Sequence, residues 1–288
     1  MSAKNKHGFT INIFLPDGEP EGIKIVEKSI GASHGIVCPR SLFQEGKKRE
    51  EFKKTGVYIL TGYSEDSDEI KVYIGEGDPI LDRLNQHYAK KDFWTTAIAF
   101  TSKDAHLNKA HVQFLESRLV ELAKEAKQCE LDNGNIPARP SLSEMEESFA
   151  EGFLEEMLLC FPILGVKIFE QPSRPSKTSK MQFYHIKMKG IKARGYESGD
   201  GFVVCKDSQA VMEVTQSCPD YVKDHRKKLL KQKVLIKEDK ALVFTLDFNF
   251  PSPSGASSVI NGGTSNGVTT WKTENGRTLK EVRESEAT

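Results

Sequence analysis

Cysteine is scarce in this chain, and long apolar runs are missing from its sequence. The 288 residues include five cysteines, an odd number, scattered without a Cys-x-x-Cys pair. This usage argues against a disulfide framework and against a zinc site. No apolar stretch approaches the roughly 20 residues that a membrane-spanning helix requires, and the N-terminus has no apolar segment followed by a cleavage site. We therefore expect a cytoplasmic protein that has no membrane partner.

An excess of charge of either sign is also missing, because 41 basic residues balance 41 acidic ones. A zero net charge does not indicate a nucleic-acid partner, so any such contact has to be local. The basic segment from Lys223 to Lys233 is one candidate, with Lys227, Lys228 and Lys231 as substrate-binding residues. A solvated helix face explains such a run equally well.

The length and the ordinary composition favour two modest domains. The segment GFTINIFL at 8–15 alternates polar and apolar residues and predicts a small N-terminal β unit, and the Pro- and Ser-rich segment at 171–180 predicts a linker. The predicted parts are an N-terminal extension at 1–54, a core domain at 55–135, a helical extension at 136–170, a linker at 171–181 and a C-terminal domain at 182–288.

The core domain shows the order strand, strand, helix, strand, long helix, which predicts an α+β layer structure. Asp78 followed by Pro79 predicts the N-cap and first residue of the shorter helix. Ser102 or Asp104 is the predicted N-cap of the long helix. In the helical extension, Ser143 with Glu146 three residues later forms the pattern of a capping box.

Two short aromatic strands open the core domain, GVYIL at 56–60 and KVYIGEG at 71–77. Side chains alternate along a strand, so antiparallel pairing of the two places Tyr58 and Tyr73 on the same sheet face. Arg83 and His87 follow four residues apart on the next helix and are therefore neighbours on its surface. Taken singly, each of these residues is more often structural, as a sheet aromatic or an exposed helix pair.

Glu116 lies in the long helix at the edge of an apolar stripe, where a carboxylate needs a partner such as Arg83 or a divalent metal ion. A tyrosine assisted by a histidine, an arginine fork and a carboxylate-held Mg²⁺ together suit phosphodiester hydrolysis. That reaction requires deprotonation of the attacking oxygen and neutralisation of charge in the transition state.

In their order and spacing these residues resemble the GIY-YIG nuclease superfamily over about residues 56–133. The resemblance implies a three-stranded antiparallel sheet flanked by helices, and endonuclease chemistry with one divalent metal ion, Mg²⁺ or Mn²⁺. By this resemblance, Tyr58 would be the general base or the phenol that positions the nucleophile, and Tyr73 would orient the water and the phosphate. Arg83 would bind the scissile phosphate, and His87 would assist proton removal. Glu116 would be the metal ligand.

The chain departs from the family pattern at three positions. Val57 replaces isoleucine in the first motif, and Glu76 follows YIG where some members have a small or basic residue. Gln128 stands where the family often has an asparagine, and Asn133 is the nearest asparagine. The resemblance therefore makes Asn133 a weaker candidate for substrate binding.

The C-terminal segment from Phe250 to Leu279 resembles small domains of unknown function that are attached to GIY-YIG proteins and are akin to the RAMA domain of restriction enzymes and adenine methylases. This implies a small, separate α+β module that binds DNA or senses its modification. Ser254 would contact phosphate. Trp271 would stack on a base or, alternatively, fill a core.

The leading hypothesis is thus a metal-dependent DNA endonuclease, a hydrolase of ester bonds, in restriction, phage defence or repair. DNA is the expected partner, with a methylase or another restriction-system protein as a further one. One alternative is a catalytically silent nucleic-acid-binding module that retains the fold. Another is a subunit that acts only within a larger modification-sensing assembly.

Overall fold

The structure is a computed structural model and describes residues 8–64, 67–169, 182–188, 190–199 and 201–286. The predicted linker at 171–181 lies outside the described residues. The chain divides into two compact units, Met1–Glu170 and Gln171–Thr288. Both combine helices with sheets, which confirms the α+β class in general terms.

The first unit is built on one seven-stranded sheet with the strand order β1-β2-β3-β6-β4-β5-β7. Its strands are β1 (Ile11–Phe14), β2 (Lys24–Lys28), β3 (Ser33–Pro39), β4 (Gly56–Ser64), β5 (Ser67–Gly77), β6 (Trp94–Ser102) and β7 (Glu130–Leu131). Its helices are α1 (Phe43–Gly46), α2 (Ile80–Lys90), α3 (Lys109–Ala126) and α4 (Glu144–Cys160), with 3-10 turns at Arg40–Leu42 and Glu50–Lys53.

The sheet is larger than the sequence analysis predicts. Strands β5, β4 and β6 form the expected antiparallel centre. However, the N-terminal strands do not stand apart as a small β unit, because β3 pairs antiparallel with β6 along its whole length, from Ser33 opposite Ser102 to Pro39 opposite Thr96. On the other side, β7 adds in parallel to β5.

Helices cover both faces of this sheet. Residues 57 and 59 of β4 face a core that contains Leu115 of α3 and Met157 of α4. Tyr58 and Leu60 of β4 face the opposite core, which contains Leu84 of α2. The alternation of β4 therefore aims its single buried tyrosine at α2, as the pleat of a strand requires.

The helix starts agree with the sequence pattern at one position and differ at two. Ser143 caps α4, and Glu146 completes the capping box as predicted. The prediction that Asp78 caps α2 is wrong, because α2 starts at Ile80 after Pro79, and the Asp78 carboxylate accepts a hydrogen bond of 2.5 Å from the Thr55 hydroxyl.

The predicted N-cap of α3 is also wrong. Asp104 lies in the turn after β6, where it accepts a hydrogen bond from the Ser102 hydroxyl. The helix begins later, at Lys109, and Asn108 caps it by accepting a hydrogen bond from the backbone amide of His111 at 2.9 Å. Asn108 is as good a capping residue as serine or aspartate, and propensity alone does not rank the three.

The second unit contains two smaller antiparallel sheets, ordered β14-β10-β9-β8 and β11-β13-β12. Its strands are β8 (Tyr184–Met188), β9 (Ile191–Ser198), β10 (Gly201–Val204), β11 (Gln209–Val211), β12 (Leu235–Glu238), β13 (Ala241–Phe244) and β14 (Phe248–Phe250). Its helices are α5 (Asp220–Lys231), α6 (Pro253–Asn261), α7 (Gly267–Thr270) and α8 (Leu279–Glu286). Among the described residues of both units, no helix combines the length and the apolar character that a bilayer crossing demands.

Candidate active site

The side chain of Tyr58 passes directly over a glycine on the neighbouring strand. Tyr58 is buried and lies opposite Gly75 in the register of β4 and β5. A Cβ atom at residue 75 would lie 2.5 Å from the Tyr58 hydroxyl oxygen, closer than real Cβ atoms come. The glycine in the segment VYIG is therefore required for the phenol to cross β5.

Tyr73 lies on the same sheet face, as the alternation of the two strands predicts. It is opposite Leu60 in the register, two residues from the pair of Tyr58 and Gly75. The two phenol rings are 6.2 Å apart between centroids and inclined by 34°. Tyr58 is fully buried whereas Tyr73 is half-buried, so the more accessible of the two rings is that of Tyr73.

Helix α2 brings His87 and Arg83 to this pair of tyrosines. The Nε2 atom of His87 lies 2.9 Å from the Tyr58 hydroxyl, a hydrogen-bond distance. The rings of His87 and Tyr73 are 4.5 Å apart between centroids. Arg83 is exposed, and its positive charge lies close enough to lower the pKa of the Tyr58 phenol. Side chains from β5 and α2 thus surround the phenol of Tyr58.

Burial and charge determine the protonation states of Tyr58 and His87. Burial, followed by the positive charges of Lys91 and Arg83, lowers the pKa of His87 to about 4. Burial raises the pKa of Tyr58, and the neighbouring Tyr73 raises it too. At neutral pH the tyrosine is therefore a phenol and the histidine is uncharged, and Nε2 of His87 accepts from the Tyr58 hydroxyl in the tautomer that carries the ring proton on Nδ1.

Glu116 on α3 belongs to the same electrostatic neighbourhood. It is half-buried, and burial together with the negative charge of Glu76 raises its pKa to about 7. The positive charges of Arg83 and Lys109 act in the opposite direction. A carboxylate with this environment is stabilised by a cation, because the cation offsets the cost of desolvating its charge.

Glu76 and Lys109 form an ion pair beside Glu116. The Lys109 ammonium donates to both carboxylate oxygens of Glu76, at 2.8 and 2.7 Å. Glu76 follows the YIG segment at the end of β5, and Lys109 opens α3. In the sequence, Glu76 stands out only as a departure from the family pattern. Lys109 is not predicted as a site residue, and only its position at the start of the long helix could have indicated it.

The carboxylates of the site can supply only part of the ligands that a divalent cation needs. Among the residues that the structure describes, no group of three or more His, Cys, Asp or Glu side chains could hold a metal ion. Mg²⁺, however, is commonly bound through one or two carboxylates while waters and substrate phosphate complete its octahedron. Glu116, with Glu76 as its neighbour, meets that smaller requirement.

Asn133 has a structural partner in the same region. Its side-chain oxygen accepts from the Ile74 amide at 2.9 Å, and its side-chain nitrogen donates to the Ile74 carbonyl at 2.7 Å. The side chain therefore pairs with β5 as a further strand would, at the residue between Tyr73 and Gly75. Both ends of this amide are engaged in holding the strand that carries the site.

Lys91 supports Tyr73 from the end of α2. Its ammonium lies 4.4 Å from the centre of the Tyr73 ring, within the range of a cation–π interaction. Asp132 fixes the ammonium through an ion pair of 2.5 Å and also pairs with Lys71 at 3.1 Å. The segment at 130–133 thus anchors both the backbone and the side chains of the site.

The basic run on α5 is only partly a solvent-facing patch. Arg226 is buried and donates to the carbonyls of Val259, Val211 and Met212, so it is a structural residue. Lys227 is exposed and bonds to Asp224 one turn earlier. The other two predicted phosphate contacts on this helix are the half-buried Lys228, whose pKa burial lowers, and the exposed Lys231.

Of the two C-terminal candidates, Trp271 does not offer a ring face to a base. It is fully buried, lies 4.5 Å from the Phe202 ring and donates its indole N–H to the Pro253 carbonyl at 3.1 Å. The core-filling alternative is therefore correct, because stacking on a base requires an exposed ring. Ser254 is half-buried, and its hydroxyl accepts from the Gly267 amide at 3.0 Å.

Comparisons with known proteins give a match only to the second unit. Neither the curated proteins nor the solved structures include a match to this chain. No match to the GIY-YIG nuclease superfamily was found, so that resemblance rests on the motifs and on the geometry above. Residues 184–283 match the model of a family described as a domain of unknown function (DUF4357).

Proposed function

We propose that the first unit is a metal-dependent endonuclease that hydrolyses phosphodiester bonds in DNA. The observation that carries the proposal is the convergence of Tyr73, His87 and Arg83 on the buried Tyr58, with Glu116 close enough to act on them electrostatically. Each of these groups has a separate use in the reaction. Their order along the chain, as the sequence analysis notes, is that of the nuclease superfamily.

The tyrosine and histidine manage the proton. With its ring proton on Nδ1, the uncharged His87 accepts from the Tyr58 phenol, so Tyr58 can take a proton from an attacking water while it passes its own to Nε2. Proton transfer of this kind contributes about 10² to 10⁴ in rate. Tyr73, less buried and in contact with the His87 ring, orients the water and the phosphate.

The arginine and the carboxylate manage charge. Arg83 is exposed and lies at the Tyr58 hydroxyl, so its guanidinium can bind the scissile phosphate where negative charge develops. Glu116 would hold Mg²⁺ or Mn²⁺, with Glu76 nearby. When bound, such an ion supplies a Lewis acid that neutralises the phosphate and stabilises the leaving oxygen.

A nicking assay tests the proposal. Supercoiled, branched and methylated DNA is incubated with the protein and Mg²⁺ or Mn²⁺, and the nicked product is quantified. We expect Glu116→Ala and Tyr58→Phe each to reduce nicking at least about 100-fold, since each removes one chemical role. Matched controls are Glu125→Ala, an exposed glutamate of the same helix, and Tyr63→Phe, an exposed tyrosine of the same strand; both should cleave like the wild type.

Cleavage that survives both Glu116→Ala and Tyr58→Phe would refute the assignment of the site. The ion pair of Glu76 and Lys109 favours the second candidate, a silent nucleic-acid-binding module, because it places a fixed negative group beside Glu116. That candidate predicts salt-sensitive DNA binding without nicking under any divalent metal. Activity that appears only after a co-purifying protein is added would instead indicate a subunit of a larger assembly.

A further inference from the structure

Strands β8 and β9 of the second unit place basic side chains on one face of their sheet. In the antiparallel register, Lys187 lies opposite Lys192 and His185 opposite Arg194. Directly opposite residues share a face, as do residues two apart on a strand. Lys272 joins the same face, since it forms an antiparallel bridge with His185. We call Lys187, Lys192, Arg194 and Lys272 the basic β8–β9 face.

The opposite side of these strands is apolar and buried, so the register cannot slip without exposing a core. Tyr184 and Ile186 of β8, with Ile191 and Ala193 of β9, contribute to the core of the unit. A shift by one residue would bury lysine and arginine in its place. The alternation of the sequence therefore fixes the cations on the exposed side.

The four cations are exposed, and none has a carboxylate within 4.0 Å among residues 182–188, 190–199 and 201–286. Glu274, which also lines the cavity beside this face, lies 4.0 Å from His185, and Glu281 interacts electrostatically with Lys272. Burial lowers the pKa of His185, Glu274 acts against this, and Lys187 and Arg194 lower it further. The histidine is thus uncharged at neutral pH, and the face keeps an excess of positive charge.

A cavity with polar walls adjoins the face. It has a volume of about 380 Å³ and is lined on one side by residues 185–188 of β8 and on the other by residues between Thr269 and Gly276. Three threonines line it, and the hydroxyl of Thr273 is buried without a hydrogen-bond partner among the described residues. Hydroxyl groups beside lysines are the usual ligands of phosphate oxygens.

We propose that the basic β8–β9 face, with this cavity, binds the phosphodiester backbone of a nucleic acid. The Arg194 guanidinium lies 4.7 Å from the centre of the Phe183 ring, and the four cations of the face have no ion pair with a carboxylate among the described residues. Such an excess of positive charge suits a polyanion whose charges repeat along its length. A folded acidic protein is a poorer fit, because protein interfaces are centred on exposed apolar anchors, and Ile186 in this surface is buried. The family that matches this region carries no assigned function, and the face differs from the α5 run and from Ser254 and Trp271.

The inference shares with the proposed function the idea of a nucleic-acid partner, but it does not require that the first unit cleaves. Helix α5 provides an internal comparison. Two of its lysines have acidic partners one turn away, the half-buried Lys223 with Asp220 at 2.9 Å and the exposed Lys227 with Asp224 at 3.0 Å. The two surfaces thus carry similar numbers of lysines, and the α5 surface has a lower net charge.

The test uses the full chain in EDTA, so that binding is measured without cleavage. Labelled single-stranded DNA, duplex DNA and RNA of one sequence are titrated by fluorescence anisotropy at several salt concentrations. One variant replaces three lysines of the face (Lys187→Gln, Lys192→Gln and Lys272→Gln). The matched control replaces three on α5 (Lys223→Gln, Lys227→Gln and Lys231→Gln).

We expect the face variant to bind at least about 10-fold more weakly and to lower the slope of log K against log salt by about 2 to 3, while the control changes affinity less than about 2-fold. Equal or greater weakening in the control, or no nucleic-acid binding by the wild type, overturns the proposal. So does poly-glutamate that competes as strongly as nucleic acid at equal charge, which would indicate an acidic polypeptide.

Two further measurements keep the outcome interpretable. Thermal unfolding checks that both variants fold, and if the triple variant does not, Lys187→Gln and Lys272→Gln are measured singly. Binding by Glu116→Ala separates the two proposals. If the protein binds through the basic β8–β9 face but never nicks DNA, the nuclease proposal is refuted and the binding proposal stands. If the face variant nicks DNA and binds it as the wild type does, only the binding proposal is refuted.

Discussion

The hydroxyl of Tyr58 occupies the space that a side chain at Gly75 would need. The two residues are direct partners across β4 and β5, and a methyl group at residue 75 would lie 2.5 Å from the phenol oxygen and 2.6 Å from the ring carbon that bears it. The position of the candidate base is therefore set by the absence of a side chain on the next strand. The hydrogen bond to His87 depends on the same clearance.

Gly75→Ala should consequently displace the Tyr58 ring. Inserting a methyl group into a packed core costs about 1 to 3 kcal/mol in the free energy of unfolding. We also expect loss of nicking, because the phenol moves away from His87. Gly134→Ala is the control, since a Cβ at residue 134 meets nothing within 4 Å. Equal stability of the two variants, measured by denaturant unfolding, would show that Tyr58 is not constrained by residue 75.

His87→Gln should alter the response of stability to acid. The folded pKa of His87 is about 4, below its usual value of 6.5, so the unfolded chain takes up the proton first. Stability is thus lost as the pH falls from 6.5 through 4. The variant lacks this titration, and between neutral pH and about pH 4 it should lose about 1 to 2 kcal/mol less than the wild type, after allowance for partial exposure.

Denaturant unfolding across this pH range provides the measurement. His106→Gln is the control, since the His106 side chain is 70% exposed. Parallel pH curves for wild type and His87→Gln would contradict the burial of an uncharged imidazole at this site.

Glu116→Gln should lose nicking activity and gain stability at alkaline pH. The folded pKa of Glu116 is about 7, above its usual 4.5, so stability is present below pH 4.5 and is lost as the pH rises through 7. Without divalent metal at about pH 8, the variant should be more stable than the wild type by about 1 to 2 kcal/mol, and at about pH 4.5 the two should agree.

Addition of Mg²⁺ at about pH 8 should raise the melting temperature of the wild type and leave that of Glu116→Gln unchanged, because a ligand stabilises the state that binds it. Glu125→Gln should follow the wild type in both respects. A wild type whose melting temperature ignores both Mg²⁺ and Mn²⁺ would speak against Glu116 as a metal ligand.

Asn133→Ala should loosen β5 at the centre of the site. The variant removes both partners of the Ile74 backbone, which we expect to cost about 1 to 3 kcal/mol and to speed hydrogen exchange of the Ile74 amide. Asn133→Asp retains the acceptor and should preserve most of that protection. Unchanged exchange at Ile74 in Asn133→Ala would mean that the asparagine does not hold the strand.

Lys91→Met should raise the pKa of His87, because the Lys91 charge is the largest cause of its depression after burial. Titration of the His87 ring by NMR measures the shift directly and needs no enzymatic activity. Lys91→Arg retains the charge and should behave like the wild type. A pKa that does not move in Lys91→Met would show that the Lys91 charge does not contribute to the lowered pKa of His87.

The sequence predicts the local parts of the site well and the long-range parts poorly. Alternation along β4 and β5 is sufficient to place Tyr58 and Tyr73 on one face, and a four-residue step suffices for Arg83 and His87. The ion pair of Glu76 with Lys109 joins residues 33 positions apart, and no local pattern indicates it. Arg226 looks like part of a surface patch by composition, and only the fold reveals that three backbone carbonyls surround it.

The pairing of β3 with β6 has a consequence for dissecting the first unit. A fragment limited to residues 55–135 would keep the tyrosines, the histidine and Glu116, yet it would leave the whole edge of β6 unpaired and uncover the apolar surface beneath Val26 and Val37. Open edges of this kind recruit other chains. The smallest piece without this open edge should therefore begin before β1, and a protease that trims the N-terminal strands would make the first unit prone to aggregation.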